Sequence, residues 1–253
     1  MSGPQPSELE TRSKDALPPY IVPHSQRAIP VLYEDNDLLI VDKPHLLLSV
    51  PGRHPVNRDS LISRLSHKYP GVNAVHRLDL DTSGLLVVPR TREALAEISR
   101  HFQARRVTKT YTALVWGLVN EDRGAIDLPI ARDWINRPKQ KICHEAGKPS
   151  LTHFEVVARG TEHTLLRLIP VTGRSHQLRI HMRELGHPIL GCDMYAHPRA
   201  LAAAPRLMLH ATRLGFNHPR TGDWLQSFSP PPFTVDGLAT ELATELATEL
   251  ATE

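Results

Sequence analysis

The chain has 253 residues, 40% hydrophobic and 23% charged, enough to bury a real core and too apolar for a wholly disordered sequence. Lysine and arginine number 30 against 27 acids, a formal net charge of +3, so a polyanion-binding face has to come from where the charges sit and not from their total. The two cysteines, Cys143 and Cys192, form no CxxC pair, which argues against a zinc module or a disulfide framework, and without a signal-peptide core or a bilayer-length apolar run the expected location is the cytoplasm.

Residues 1–27 are rich in proline, serine and charge and read as a flexible leader. Residues 31–33 and 38–41 read as two strands around a turn at 34–37. Leu61, Ile62 and Leu65 have helical spacing within a short helix at 60–69. Residues 84–88 form a continuous apolar run, the mark of a buried strand. Thr91 offers an N-cap for a helix reaching about residue 105, with Leu95, Ile98 and Phe102 on one face. Residues 107–116 alternate as a half-buried strand does, and 131–147 is a basic loop or hairpin holding Trp134. Strands follow at 154–158 and 165–171, a second helix at 174–185 stopped by Gly186, and closing strands at 208–216 and 224–228. Strands without regular helical crossovers imply an α+β domain over residues 28–236, built on a mixed, mostly antiparallel sheet with flanking helices. The tail at 237–253 repeats Glu-Leu-Ala-Thr with a four-residue period, favours helix by composition, and is set aside as low complexity.

The chemistry concentrates in HRLDLDTSGLLVV, residues 76–88. Small hydroxyl residues and glycine let the backbone turn tightly before a buried strand, and a carboxylate at such a turn is aimed into a cleft from a rigid edge. Composition alone leaves open that Asp79 and Asp81 merely cap turns and pair with Arg77. The segment resembles the HRLDxxTSG signature of RluA-type RNA pseudouridine synthases. Two further stretches resemble that family in the same order, KTYTA at 109–113 and GRSHQLRIH at 173–181. The stretches KPHLLLSVPGR, DWINRPKQKICHEAGKP, LGHPILGCDMYA and PRLMLHA are similar to the RluA branch, which lacks a separate S4 RNA-binding domain. The likeness runs from about Ile29 to Phe233. One departure stands out. Relatives carry Gly-Asp after Pro-Ile-Leu, and this chain has Gly191-Cys192-Asp193, so the acidic role there is shifted by one residue or lost.

The resemblance implies a pseudouridine synthase fold and an isomerase with Asp79 as catalytic carboxylate, either nucleophile or base. It also implies Arg174 as the cation paired with Asp79, Tyr111 under an everted uracil, and Arg77 in the space the base leaves. Isomerisation consumes no water and changes no oxidation state, so neither a cofactor nor a metal is expected. His176 and His181 are five residues apart on an expected helix and could face one way as zinc ligands do, but no third ligand follows at a diagnostic spacing. RNA contacts are expected from His76, Arg77, Arg105, Arg106 and Lys109. The basic loop adds Arg132, Trp134, Arg137, Lys139 and Lys141, and the third motif adds His176, Gln177 and Arg179. The implied partners are stem–loops of tRNA and 23S ribosomal RNA, engaged by a monomer. The competing expectation is a stem–loop binder without chemistry.

Overall fold

The structure, a computed structural model, describes residues 21–23 and 25–234. The repeat tail and most of the leader lie outside the described residues. The described end of the leader is tied down: Val22 N donates to Asn57 Oδ1 at 3.0 Å, and Arg64 donates to the carbonyls of Ser25 and Arg27.

Nine strands form one sheet in the order β1-β2-β3-β10-β4-β9-β8-β5, with β11 also paired to β10. Its members are β1 (Val31–Glu34), β2 (Leu38–Lys43), β3 (Ser83–Pro89), β4 (Thr108–Trp116), β5 (Arg123–Asp127), β8 (Leu151–Arg159), β9 (His163–Pro170), β10 (Leu209–Asn217) and β11 (Trp224–Phe228). The pair β6 (Ile130–Arg132) and β7 (Gln140–Ile142) stands apart as a two-stranded hairpin. Every pairing is antiparallel except β3 with β10. The architecture is the mixed, mostly antiparallel α+β sheet that the strand pattern implies.

Local chemistry accounts for most element ends. The β1–β2 turn closes on the Asp35 carboxylate, which accepts from the backbone of Asp37 and Leu38 at 2.8 Å each. Ser60 and Ser63 cap each other at the start of α1 (Leu61–Ser66), and Thr91 accepts from Ala94 N at the start of α2 (Arg92–Gln103). Two elements carry too weak a local pattern to be foreseen: β5, a sheet edge with one buried side chain, and α4 (Pro198–Ala202), a single turn begun by a proline. The third helix, α3 (Gln177–Glu184), starts three residues later than its sequence suggests, because His176 adopts a left-handed conformation (φ 56°) that interrupts the helix.

The apolar core packs on both faces of the central strands, and Tyr111 of β4 touches the clusters on either side of the site. The contact of β3 with β10 is short, with two registered pairs, His210 with Ser83 and Ala211 with Gly84. Gly84 has φ 111°, and a Cβ there would meet Ala211 O at 2.3 Å. Only glycine lets the 75–83 loop run into β3 at this closeness.

Candidate active site

The segment ending at Ser83 is pinned on both sides of Asp79. Leu78 N donates to Ser49 Oγ at 3.1 Å, and Ser49 Oγ donates to Leu78 O at 2.8 Å. Leu80 O accepts from Leu46 N at 2.9 Å and from Lys43 Nζ at 3.1 Å. Lys43 is fully buried and donates further to Pro44 O and Leu47 O at 2.9 and 2.8 Å. Three carbonyls thus take the three protons of one ammonium. Burial pulls this group down to about 7, while Asp79 and Asp81 pull it back up.

Between those anchors Asp79 enters a cleft lined by Arg77, Lys109, Tyr111, Arg174, His176 and Arg179. Arg179 is the guanidinium that faces it. Its side chain is 1% exposed, with Nη1 3.7 Å from Asp79 Oδ2 and 4.0 Å from Asp81 Oδ2. Nη2 lies 2.5 Å from Asp193 Oδ1, and Nε donates to Cys192 Sγ at 3.3 Å. Both residues at the departure from the family pattern thus meet Arg179, Cys192 through its sulfur and Asp193 through its carboxylate. His176 Nε2 lies 3.9 Å from Asp79 Oδ1. The Tyr195 hydroxyl accepts from Gln140 N at 2.8 Å and lies 2.8 Å from His176 Nδ1. The Tyr195 hydroxyl thus ties the His176 ring to the β6–β7 hairpin and holds its Nε2 edge toward Asp79. Burial pushes the His176 imidazolium down, with Asp79 opposing.

Tyr111 and Lys109 sit two apart on β4 and so project to one face. Burial, with Asp79 nearby, pushes the Tyr111 hydroxyl up, and burial pushes Lys109 down.

The resemblance implies Arg174 beside Asp79, and the structure corrects this. Arg174 lines the cleft, but its Nε and Nη2 donate to Pro149 O at 3.4 Å. It lies in the turn before α3, whereas Arg179 projects inward from the helix itself. Arg179 and Gln177, expected on the RNA surface, are both buried. Gln177 is a structural hub: Oε1 accepts from Thr172 Oγ1 and Arg174 N, and Nε2 donates to Leu151 O and Thr152 Oγ1. His181 is bound to Thr152 Oγ1 and Leu128 O, away from His176.

Two further clefts flank the first and share Arg77, which is exposed and makes no ion pair among the described residues. One runs past Asp79 and His176 to Arg132, Arg137 and Gln140. In the same hairpin Trp134 is 64% exposed, and the guanidiniums of Arg132 and Arg137 lie 4.9 and 4.3 Å from its ring centre. The other cleft is lined by His76, Phe102, Arg105, Lys109, Tyr111 and Arg174. His76 stacks on Phe102 at 4.7 Å and accepts from Val87 N, so its Nε2 is spent inside the protein. Arg106, Lys139 and Lys141 are exposed and line none of these clefts.

Residues 37–184 match the family model of RNA pseudouridylate synthases. The chain is 51% identical over 206 residues to the dual-specificity RNA pseudouridine synthase RluA of Vibrio vulnificus, covering 79% of this chain and 82% of that protein. It is 51% identical over 193 residues to the protein of the same name from Yersinia pestis, covering 76% and 94%. Among solved structures it resembles human RNA pseudouridylate synthase domain containing 1, with TM-score 0.69 and 30% identity over 89% of this chain and 97% of that one. The chain belongs to the RNA pseudouridylate synthase family and is an RNA uridine isomerase.

Proposed function

We propose that this enzyme isomerises uridines in a tRNA anticodon stem–loop and in a 23S ribosomal RNA hairpin, with Asp79 as its catalytic carboxylate. The observation that carries the assignment of Asp79 is its place in a cleft, 3.7 Å from a buried guanidinium and alongside Tyr111. A stacked uridine has to leave the helix to reach such a cleft, and arginine is suited to occupy the space it vacates. Arg77, exposed and common to all three clefts, takes that part.

Asp79 opens the reaction as nucleophile at the sugar or as base toward a sugar proton while uracil departs. Arg179 supplies the counter-charge a half-buried carboxylate requires and fixes its direction. The uracil turns within the cleft and rejoins through carbon. Tyr111 stays protonated at neutral pH, so it serves under the ring and takes the carbon-bound proton only while passing its own onward. The basic hairpin and Arg105, Arg106 and Lys109 hold phosphates on either side. The dual target rests on the RluA proteins to which the chain is similar. One catalytic domain over residues 28–236, acting as a monomer in the cytoplasm, suffices for this chemistry. No helix among the described residues is long and apolar enough to cross a membrane.

Asp79→Asn is expected to yield no pseudouridine in either stem–loop, read by carbodiimide mapping, while RNA affinity stays within about threefold, since the change removes one charge from a basic surface. Turnover by this variant sinks the assignment. Binding without product by the unaltered enzyme would favour the non-catalytic alternative.

A further inference from the structure

Asp79 is steered from two sides, and the two sides are held differently. Arg179 faces Oδ2 at 3.7 Å from within α3, where helix and burial fix it. His176 faces Oδ1, with Nε2 at 3.9 Å, from the residue before the helix. Its backbone is left-handed and its side chain makes no capping bond, so no helical turn fixes the ring. Tyr195 does so instead. Its hydroxyl lies 2.8 Å from His176 Nδ1, and the two rings meet edge to face with centres 5.7 Å apart.

Tyr195 is firmly seated. It is buried in the core cluster that holds Ile180 and Met182 of α3, and the guanidiniums of Arg179 and Arg183 lie 5.6 and 5.4 Å from its ring centre. Its hydroxyl also accepts from the backbone N of Gln140, the first residue of β7, at 2.8 Å. One oxygen therefore meets both the imidazole beside Asp79 and the backbone of the basic hairpin. That hairpin stands outside the nine-stranded sheet, yet Arg132, Arg137 and Gln140 line one cleft with Asp79 and His176. Tyr195 itself lines none of the three clefts, so any effect it has on the reaction passes through His176. We propose that Tyr195 is a positioning residue: its hydroxyl, fastened to the β6–β7 hairpin, sets His176 against Asp79, so that seating of the hairpin on RNA is transmitted to the carboxylate. The inference rests on the assignment of Asp79 and goes beyond it, to how that carboxylate is aimed.

A double-mutant cycle on the full chain tests it, with single-turnover rate at saturating stem–loop, RNA affinity and melting temperature measured for Tyr195→Phe, His176→Ala and the pair. Tyr195→Phe removes the hydroxyl and keeps a ring beside the two guanidiniums. It is expected to slow isomerisation about tenfold, inside the roughly 10²-fold that an ångström of misplacement can cost, with RNA affinity within about threefold. The pair is then no slower than His176→Ala, to within about threefold, because a group that acts through His176 has nothing left to act on. A purely structural Tyr195 gives the same loss with or without His176, and that result overturns the proposal. An unslowed Tyr195→Phe, or a loss found only in RNA affinity, overturns it equally. Amide exchange reads the other end of the link. The Gln140 N–H, deprived of its acceptor, exchanges faster in Tyr195→Phe at an unchanged melting temperature, and unaltered exchange overturns the fastening to the hairpin. Should Tyr195→Phe fail to melt cooperatively, His176→Gln replaces it, keeping a polar end toward Asp79 and offering nothing at the Nδ1 position; it must slow the chemical step at unchanged affinity, and full speed overturns the proposal. Turnover by Asp79→Asn would remove the ground for both claims, whereas an inactive Asp79→Asn with an additive cycle removes only the part given to Tyr195.

Discussion

Two arginines five residues apart end in different places, and the difference is testable. Arg179 is enclosed by Asp79, Asp81, Asp193 and Cys192 and is fully buried. A lysine offers one point charge where a planar fork now serves several acceptors. Disrupting a buried charge network costs about 3–5 kcal/mol, roughly 10²–10³-fold or more in rate where the charge is oriented for reaction. Arg179→Lys is therefore expected to lower kcat at least about 100-fold in steady-state assays on a stem–loop substrate, a loss of roughly 2.7 kcal/mol. Arg174→Ala, whose guanidinium rests on Pro149 O, is expected to raise KM and to change kcat less than about tenfold. The reverse ranking would place the working cation at residue 174. The turn that carries Asp79 is legible in sequence because its hydroxyls, its glycine and its buried strand are all local, while the choice of Asp79 over Asp81 comes from the family resemblance alone. The choice between the arginines is not legible, because it depends on where α3 begins. That boundary is set by His176 in a left-handed conformation and by the Gln177 side chain bonding across to β8.

At the scale of elements, buried strands are readable and edges are not. β3 is buried at every position and β11 falls on the expected residues, whereas β5 hides one side chain and is held by pairing with β8. The basic segment reads as a loop or hairpin, and β6 and β7 make it a hairpin whose tip carries Trp134. Arg132 and Arg137 on either side pre-orient the indole and supply charge at the mouth of the cleft. Base stacking on an aromatic is worth about 1–3 kcal/mol. Trp134→Ala is expected to weaken stem–loop affinity roughly 5- to 150-fold at fixed salt, the same energy expressed as binding. Melting temperature should hold, since the ring is mostly in solvent. In a salt titration Trp134→Ala keeps the wild-type slope, while Lys139→Ala flattens it by about 0.7–0.9 if that lysine meets a phosphate. A Trp134 variant with unchanged affinity would remove the hairpin tip from the RNA interface.

Across the whole molecule, the sheet joins its two halves through β3 and β10, a parallel contact that no local pattern announces because its partners lie 127 residues apart at Ser83 and His210. His210 makes that junction sensitive to acid. Burial pushes its imidazolium down to about 3, against about 6.5 in an unfolded chain. Above pH 6.5 both states carry a neutral ring and the stabilisation is complete. Between about 6.5 and 3 the unfolded chain takes up a proton that the fold refuses, so stability falls as pH falls, by about 1.4 kcal/mol per pH unit for one such group. The direction is that of a base whose folded pKa is depressed. Against a total of about 5–15 kcal/mol this is a large fraction within two or three units. Burial lowers His76 in the same direction, so the wild-type slope exceeds one proton. His210→Gln cannot take up the proton and leaves the His76 contribution in place. Urea midpoints from pH 4 to 8 are therefore expected to fall less steeply for His210→Gln than for wild type, by about one proton's worth, even though the variant starts less stable at pH 8. Parallel curves would mean that the ring is already charged in the fold. Ser83 Oγ, 2.8 Å from Nδ1, would then face an imidazolium N–H and lose its acceptor at the β3–β10 junction.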